Sequence, residues 1–147
     1  MKRLILAEKP DVARRIAKAL FGSRVKLLRI DGVKIYTYGD EYVIPASGHL
    51  YDLDFLEYLN RGWKYPVLPA LSEYRYVPIK QKYRFIDAIR KIVDYIDDSF
   101  EVIVATDLDR RGSYIAMQIL EMVFGISIYS RLVKRMMFNA LTDEELR

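Results

Sequence analysis

Cysteine is missing from the chain, and histidine occurs once, as His49. Without thiols there is no disulfide framework and no thiolate metal centre, and a single imidazole excludes a multi-histidine zinc or iron site. Any metal partner is therefore a hard cation held by oxygens. Long apolar runs are also lacking. No uncharged stretch reaches the roughly 18 residues that a membrane helix needs. The opening MKRLILAEKP places Glu8 and Lys9 where a signal peptide needs its apolar segment. The chain is expected to work in the cytoplasm, away from membranes. Gln81, Gln118, Asn60 and Asn139 are its only side-chain amides, a scarcity that leans towards a thermophilic source and bears on stability rather than function.

What is present supports one compact domain: 147 residues, 52% hydrophobic and 30% charged. The formal net charge of +4 favours a polyanionic partner only weakly.

The run KRLILA reads as a strand that breaks at Glu8, and Pro10 then suits the first turn of a helix carrying Val12, Ala13, Ile16, Ala17 and Leu20 on one face. Between residues 25 and 46 the pieces VKLLRI, VKIYTY and YVIPA are separated by Asp31-Gly32 and Gly39-Asp40, and we read a meander or a set of sheet extensions. Residues 48 to 78 read as an irregular but ordered excursion. Phe85, Ile86, Ile89, Ile92, Val93 and Ile96 predict a helix over Gln81 to Asp97. EVIVA, residues 101 to 105, is a buried strand, followed by a helix with Ile115, Ala116, Ile119, Leu120 and Val123 inward. RLVKRMMF predicts a further strand, and Thr142 with Glu145 a capping box. Strand and helix, repeated, imply an α/β domain whose site lies at the carboxyl ends of parallel strands. If the first strand neighbours the one at 101 to 105, Glu8, Asp107 and Asp109 converge at one edge.

The segments LAEKPDVARRIA, ASGHL and VIVATDLDRRG, in this order and spacing, resemble the toprim domain of type IA DNA topoisomerases. Trp63 with Leu68-Pro69, and KRMMFNALT, resemble the continuation of the same family. The resemblance implies a toprim fold, with a Rossmann-like central parallel four-stranded sheet flanked by helices and a β-rich excursion over residues 25–80. The domain would span residues 1–138, with 139–147 opening a following segment cut short. It also implies that Glu8, Asp107 and Asp109 hold Mg²⁺ and that Glu8, Lys9 and Arg110 act at the scissile phosphate. His49 and Arg111 join Lys9 and Arg110 as nucleic-acid contacts. The implied partners are DNA, single-stranded, and the remaining domains of a topoisomerase. Hard carboxylate oxygens suit Mg²⁺, and an ammonium beside a guanidinium fork suits phosphate oxygens.

Two departures stand out. The family loop is D-x-D-x-E, whereas here Arg111 replaces the third carboxylate, so cation affinity is expected to fall. A guanidinium there is also able to fork onto the aspartates and take the metal's place. Ala140 likewise stands where the family often has Glu. Secondly, no position matches the nucleophilic tyrosine, although Tyr occurs 12 times; Tyr36, Tyr38, Tyr74 and Tyr76 read as sheet and packing residues. Two alternatives follow: a non-catalytic nucleic-acid-binding module, and a nuclease that activates water with the same carboxylates. Bland readings stand beside the functional ones. Glu8 fits a solvated helix start, Asp107 and Asp109 fit an N-cap pair, and His49 fits a turn residue bonded to backbone. Arg61, Lys64, Arg75, Lys80, Lys82 and Arg84 among aromatics fit either a single-strand track or a solvated face. Lys134 and Arg135 give a weak basic signal of the same kind.

Overall fold

Leu4, Ile5, Leu6 and Ala7 are all buried, which a strand achieves only inside a sheet covered on both faces. In the computed structural model, which describes residues 1–55, 74–96 and 99–146, strand β1 (Lys2–Ala7) occupies that position. It pairs in parallel with β4 (Glu41–Pro45) on one side and β7 (Phe100–Ala105) on the other. β8 (Val133–Arg135) adds in parallel to β7, while β3 (Val33–Tyr38) and β2 (Lys26–Ile30) continue antiparallel beyond β4. The order is β2-β3-β4-β1-β7-β8. The four-stranded parallel core expected from the resemblance is present as β4, β1, β7 and β8, with the antiparallel pair as its extension.

The period of two along β1 divides the core. Ile5 and Ala7 face helix α1 (Pro10–Phe21), packing with Ala13, Ile16, Ala17 and Phe21. Leu4 and Leu6 face the opposite layer, formed by α2 (Tyr83–Ile96) and α3 (Arg110–Ile119) through Ile86, Ile89, Ile92, Ile115 and Ile119. Helices therefore cover both faces of a Rossmann-like sheet. Pro10 stands at the start of α1 as expected. Asp11 favours the dipole of that first turn; it accepts from Arg14 at 2.9 Å and faces Arg15 at 3.2 Å. The Arg14 hydrogen bond, followed by the charge of Arg15, holds its carboxyl below the usual range.

The β2–β3 turn is the hairpin type that Asp31-Gly32 predicts, with φ of 50° and 78°, both in the left-handed region. Lys91 of α2 holds its Asp31 at 2.7 Å. YVIPA proves to be more than an extension, because β4 belongs to the parallel core.

The excursion is not irregular throughout. Residues Tyr51–Phe55 (β5) and Tyr74–Pro78 (β6) form a separate antiparallel pair. Trp63, Leu68-Pro69, Arg61 and Lys64 lie outside the described residues, as does Asp97 at the expected end of α2. Residues 80–82 form a 3-10 turn before α2 instead of its first helical turn. RLVKRMMF yields only the three residues of β8, which end where Arg135 and Met136 turn to bond β7 and the loop after it. At the capping box, the Glu145 N–H donates to Thr142 Oγ1 at 3.4 Å, but the Glu145 carboxylate accepts from Asn139 rather than from Thr142. The result is a turn that seats Leu146 against the α1 layer. Among the described residues no helix is long and apolar enough to cross a membrane.

Candidate functional site

The in-register pairing of Ala7 with Ala105 makes β1 and β7 end side by side. Glu8 and Thr106 therefore leave the sheet as neighbours, and the Asp107 N–H donates to Glu8 Oε2 at 3.3 Å. Glu8 is 3% exposed, so it is not the solvated carboxylate of the bland reading. A buried carboxylate needs partners; besides that N–H, its Oε1 lies 3.8 Å from Lys9 Nζ. The ASGHL turn closes the third side. The Ala46 N–H donates to the Ala7 carbonyl at 2.7 Å and the Gly48 N–H to the Glu8 carbonyl at 3.0 Å. Lys82 fixes that turn by donating to the Ser47 carbonyl and hydroxyl at 2.9 and 2.7 Å.

The loop from 106 to 109 is held from several directions. Thr106, fully buried, donates its hydroxyl to the Gly112 carbonyl at 2.8 Å. Asp109 caps α3, its Oδ1 accepting from the Gly112 N–H at 2.6 Å. Arg135, one of the weak basic signals, donates from Nη2 to the Asp107 carbonyl at 2.6 Å. Sequence reading missed this role, because only the β7–β8 pairing of Val104 with Arg135 reveals it. A cleft of about 440 Å³ lies between Asp107, Leu108 and Asp109 on one side and Phe138 to Leu141 on the other.

Of the candidate residues, Glu8, Lys9 and Asp107 are brought together, and Asp109, Arg110 and Arg111 follow in the same loop and the first turn of α3. His49 stands at the margin, its ring 5.7 Å from that of Tyr114. Arg110 and Arg111 are exposed in the first turn of α3. Arg111 does not fork onto the aspartates: neither arginine has an ion pair or side-chain hydrogen bond with another described residue. The expectation that a guanidinium takes the metal's place is corrected by this arrangement, since at the helix start the side chain is free to extend into solvent. Among the basic track residues, Arg75 is tied to Asp54 at 3.0 Å, Lys82 to Ser47, and Arg84 lies 5.0 Å over Phe85.

The donor set offers the implied Mg²⁺ fewer protein ligands than the resemblance implies. Among the described residues no three acidic or imidazole groups lie close enough together to hold one ion, Asp109 has an oxygen committed to its cap, and Arg111 adds a positive charge beside the loop. The cap itself is testable: Asp109→Ala is expected to destabilise the fold by about 1 kcal/mol, measured by urea denaturation, whereas Asp109→Asn should retain most of that stability. Equal losses in both variants would mean that the cap contributes nothing to stability.

The family model described as Toprim domain matches residues 3–141. The chain is 36% identical over its full length to the DNA topoisomerase 1 of Archaeoglobus fulgidus, covering 22% of that protein. It is 36% identical over 98% of its length to the DNA topoisomerase 1 of Thermoplasma acidophilum, covering 18% of it. With the DNA topoisomerase 3 of Shouchella clausii it shares 32% identity over 99% of its length, covering 19%. The chain thus spans about a fifth of the length of these curated relatives. Sheet order, the convergence of the AEKP, GHL and DLDRR turns, and the match over residues 3–141 agree: the chain belongs to the Toprim domain family.

Proposed function

We propose that this chain is the phosphate-positioning part of a type IA DNA topoisomerase-like protein, serving cleavage and rejoining of a DNA strand whose nucleophilic tyrosine lies outside these residues. The observation that carries the reading is the hydrogen bond from the Asp107 N–H to Glu8 Oε2, which joins turns 99 residues apart at the carboxyl ends of β1 and β7. Lys9 and Arg110 are the phosphate contacts, a point charge and a planar fork for non-bridging oxygens. Arg111 and His49 flank them. Glu8, buried beneath Lys9, orients both its ammonium and the loop. The names of the relatives support DNA as the substrate. So does the first turn of α3, which carries two arginines and no acidic residue. Cations at a helix N-terminus are disfavoured by about 0.3–1 kcal/mol each, a disadvantage that a bound phosphate reverses.

No step is assigned to Mg²⁺, because among the described residues no three acidic or imidazole groups form a shared ion site. Arg111, standing where the resemblance implies a third carboxylate, favours a second reading, a module that binds DNA through Lys9 and Arg110 without cleaving it. Both readings predict that Lys9→Ala and Arg110→Ala weaken single-stranded DNA binding similarly for all sequences. Each should flatten the plot of log affinity against log salt by roughly 0.7. Fluorescence anisotropy at several salt concentrations measures this, and an unchanged slope in both variants would falsify the assignment. Strand cleavage on adding the missing part of a longer enzyme separates the two readings.

A further inference from the structure

Tyr74 and Tyr76 lie two apart on β6 and so share one face of that strand. Their rings are 6.1 Å apart, edge to face. The row continues onto α3, where Tyr114 lies 6.5 Å from Tyr76 and its hydroxyl donates to that of Tyr76 at 3.4 Å. It then reaches His49, 5.7 Å from Tyr114, in the turn whose Gly48 N–H bonds Glu8. Four rings from three separate segments therefore run from the Glu8–Lys9 turn out to Tyr74, which is 56% exposed.

Two further features distinguish this row from ordinary packing. Its members carry hydroxyls and an imidazole, and Tyr76, Tyr114 and His49 are only half-buried. Arg110 precedes Tyr114 by four residues on α3 and so shares its face of the helix, which sets a phosphate fork beside a ring. The hydrogen bond with Tyr114, aided by burial, pushes the Tyr76 phenol up to about 12, so that ring gains no charge beside a polyanion.

We infer that the His49–Tyr114–Tyr76–Tyr74 row is a stacking platform for the bases of a single strand whose phosphate sits at Lys9 and Arg110. Aromatic rings serve any base, because every base has a π-face, and they add affinity that does not depend on salt. This inference rests on the phosphate site proposed above and adds the path the strand takes away from it.

The test compares two probes of equal length, an oligothymidylate and an oligomer of abasic sugar-phosphates, on the whole chain. Tyr114→Leu and Tyr76→Leu are expected to weaken oligothymidylate binding by about 5- to 100-fold per ring. They should leave the abasic oligomer and the salt slope unchanged. Exposed Tyr74→Ser should show a smaller loss of the same kind, and Tyr76→Phe should bind nearly as well as the natural chain. Equal losses on both probes, or no loss on the thymidylate, would overturn the platform while leaving the phosphate site standing. A natural chain that binds neither probe would remove both.

Discussion

Gly112→Ala is expected to lower the melting temperature by roughly 6–12 °C, the equivalent of about 3 kcal/mol for a domain of this size. A Cβ at this position would stand 2.9 Å from the Asp107 nitrogen and 3.0 Å from its carbonyl carbon, and closer still to the carbonyl oxygen. None of these atoms is the movable end of a side chain. The Asp107 backbone is pinned by Glu8 on its N–H and by Arg135 on its carbonyl. Gly112 in turn holds the Asp109 cap and the Thr106 hydroxyl. Relief of the clash has to move the loop that carries Asp107 to Arg111, so single-strand affinity should fall together with stability. Thermal melting followed by circular dichroism reads the first effect and anisotropy the second. A melting shift below about 2 °C, on the same scale, would mean that the loop yields freely and that its network does little to fix it.

Arg111→Glu is expected to raise affinity for a divalent cation by at least about 10-fold, since it removes one positive charge and adds one negative beside Asp107 and Asp109. The substitution also places an acidic residue in the first turn of α3, where the dipole favours it. In a Mn²⁺ titration at low salt, the natural chain should show no selective paramagnetic broadening of amide signals near Glu8, Asp107 and Asp109. The variant should show it at those residues first. Selective broadening in the natural chain would mean that Asp109 surrenders its cap to a metal and that the exposed Arg111 is no obstacle, restoring Mg²⁺ to the mechanism. Broadening in neither chain would show that charge alone does not build the site.

Much of the architecture was legible because burial leaves periodic marks. KRLILA followed by Pro10, the inward face from Phe85 to Ile96, and EVIVA followed by the acidic loop each became the expected strand or helix within two residues. YVIPA was legible as a strand but not as a core strand. Gly39-Asp40 announces an antiparallel turn towards β3, while the parallel pairing with β1 on its other edge leaves no local mark. β5 and β6 read as loop because Pro66, Pro69 and Pro78 and the crowded tyrosines mask the alternation that YDLDF does carry, with Asp52 and Asp54 as its polar members.

The site divides in the same way. The convergence of Glu8 with Asp107 followed from strand order. The burial of Glu8 did not, because it depends on the ASGHL turn folding back over it. Arg111 looked able to bridge the aspartates in sequence, yet in three dimensions it begins a helix and reaches none of them. Tyr76 read as packing, and only the approach of Tyr114 from another layer turned it into part of a row.

The place of β1 between β4 and β7 also governs how the protein is made. β1 is flanked on one side by residues 41–45 and on the other by residues 100–105. It consequently keeps an open edge until residues 100–105 are there to pair with it. Closing so long a loop is the slow, entropically costly part of folding, and the Glu8–Asp107 contact appears only when it is complete. The contact between the Glu8 and Asp107 turns thus waits on the β1–β7 pairing, and a chain that has not closed that pairing lacks it.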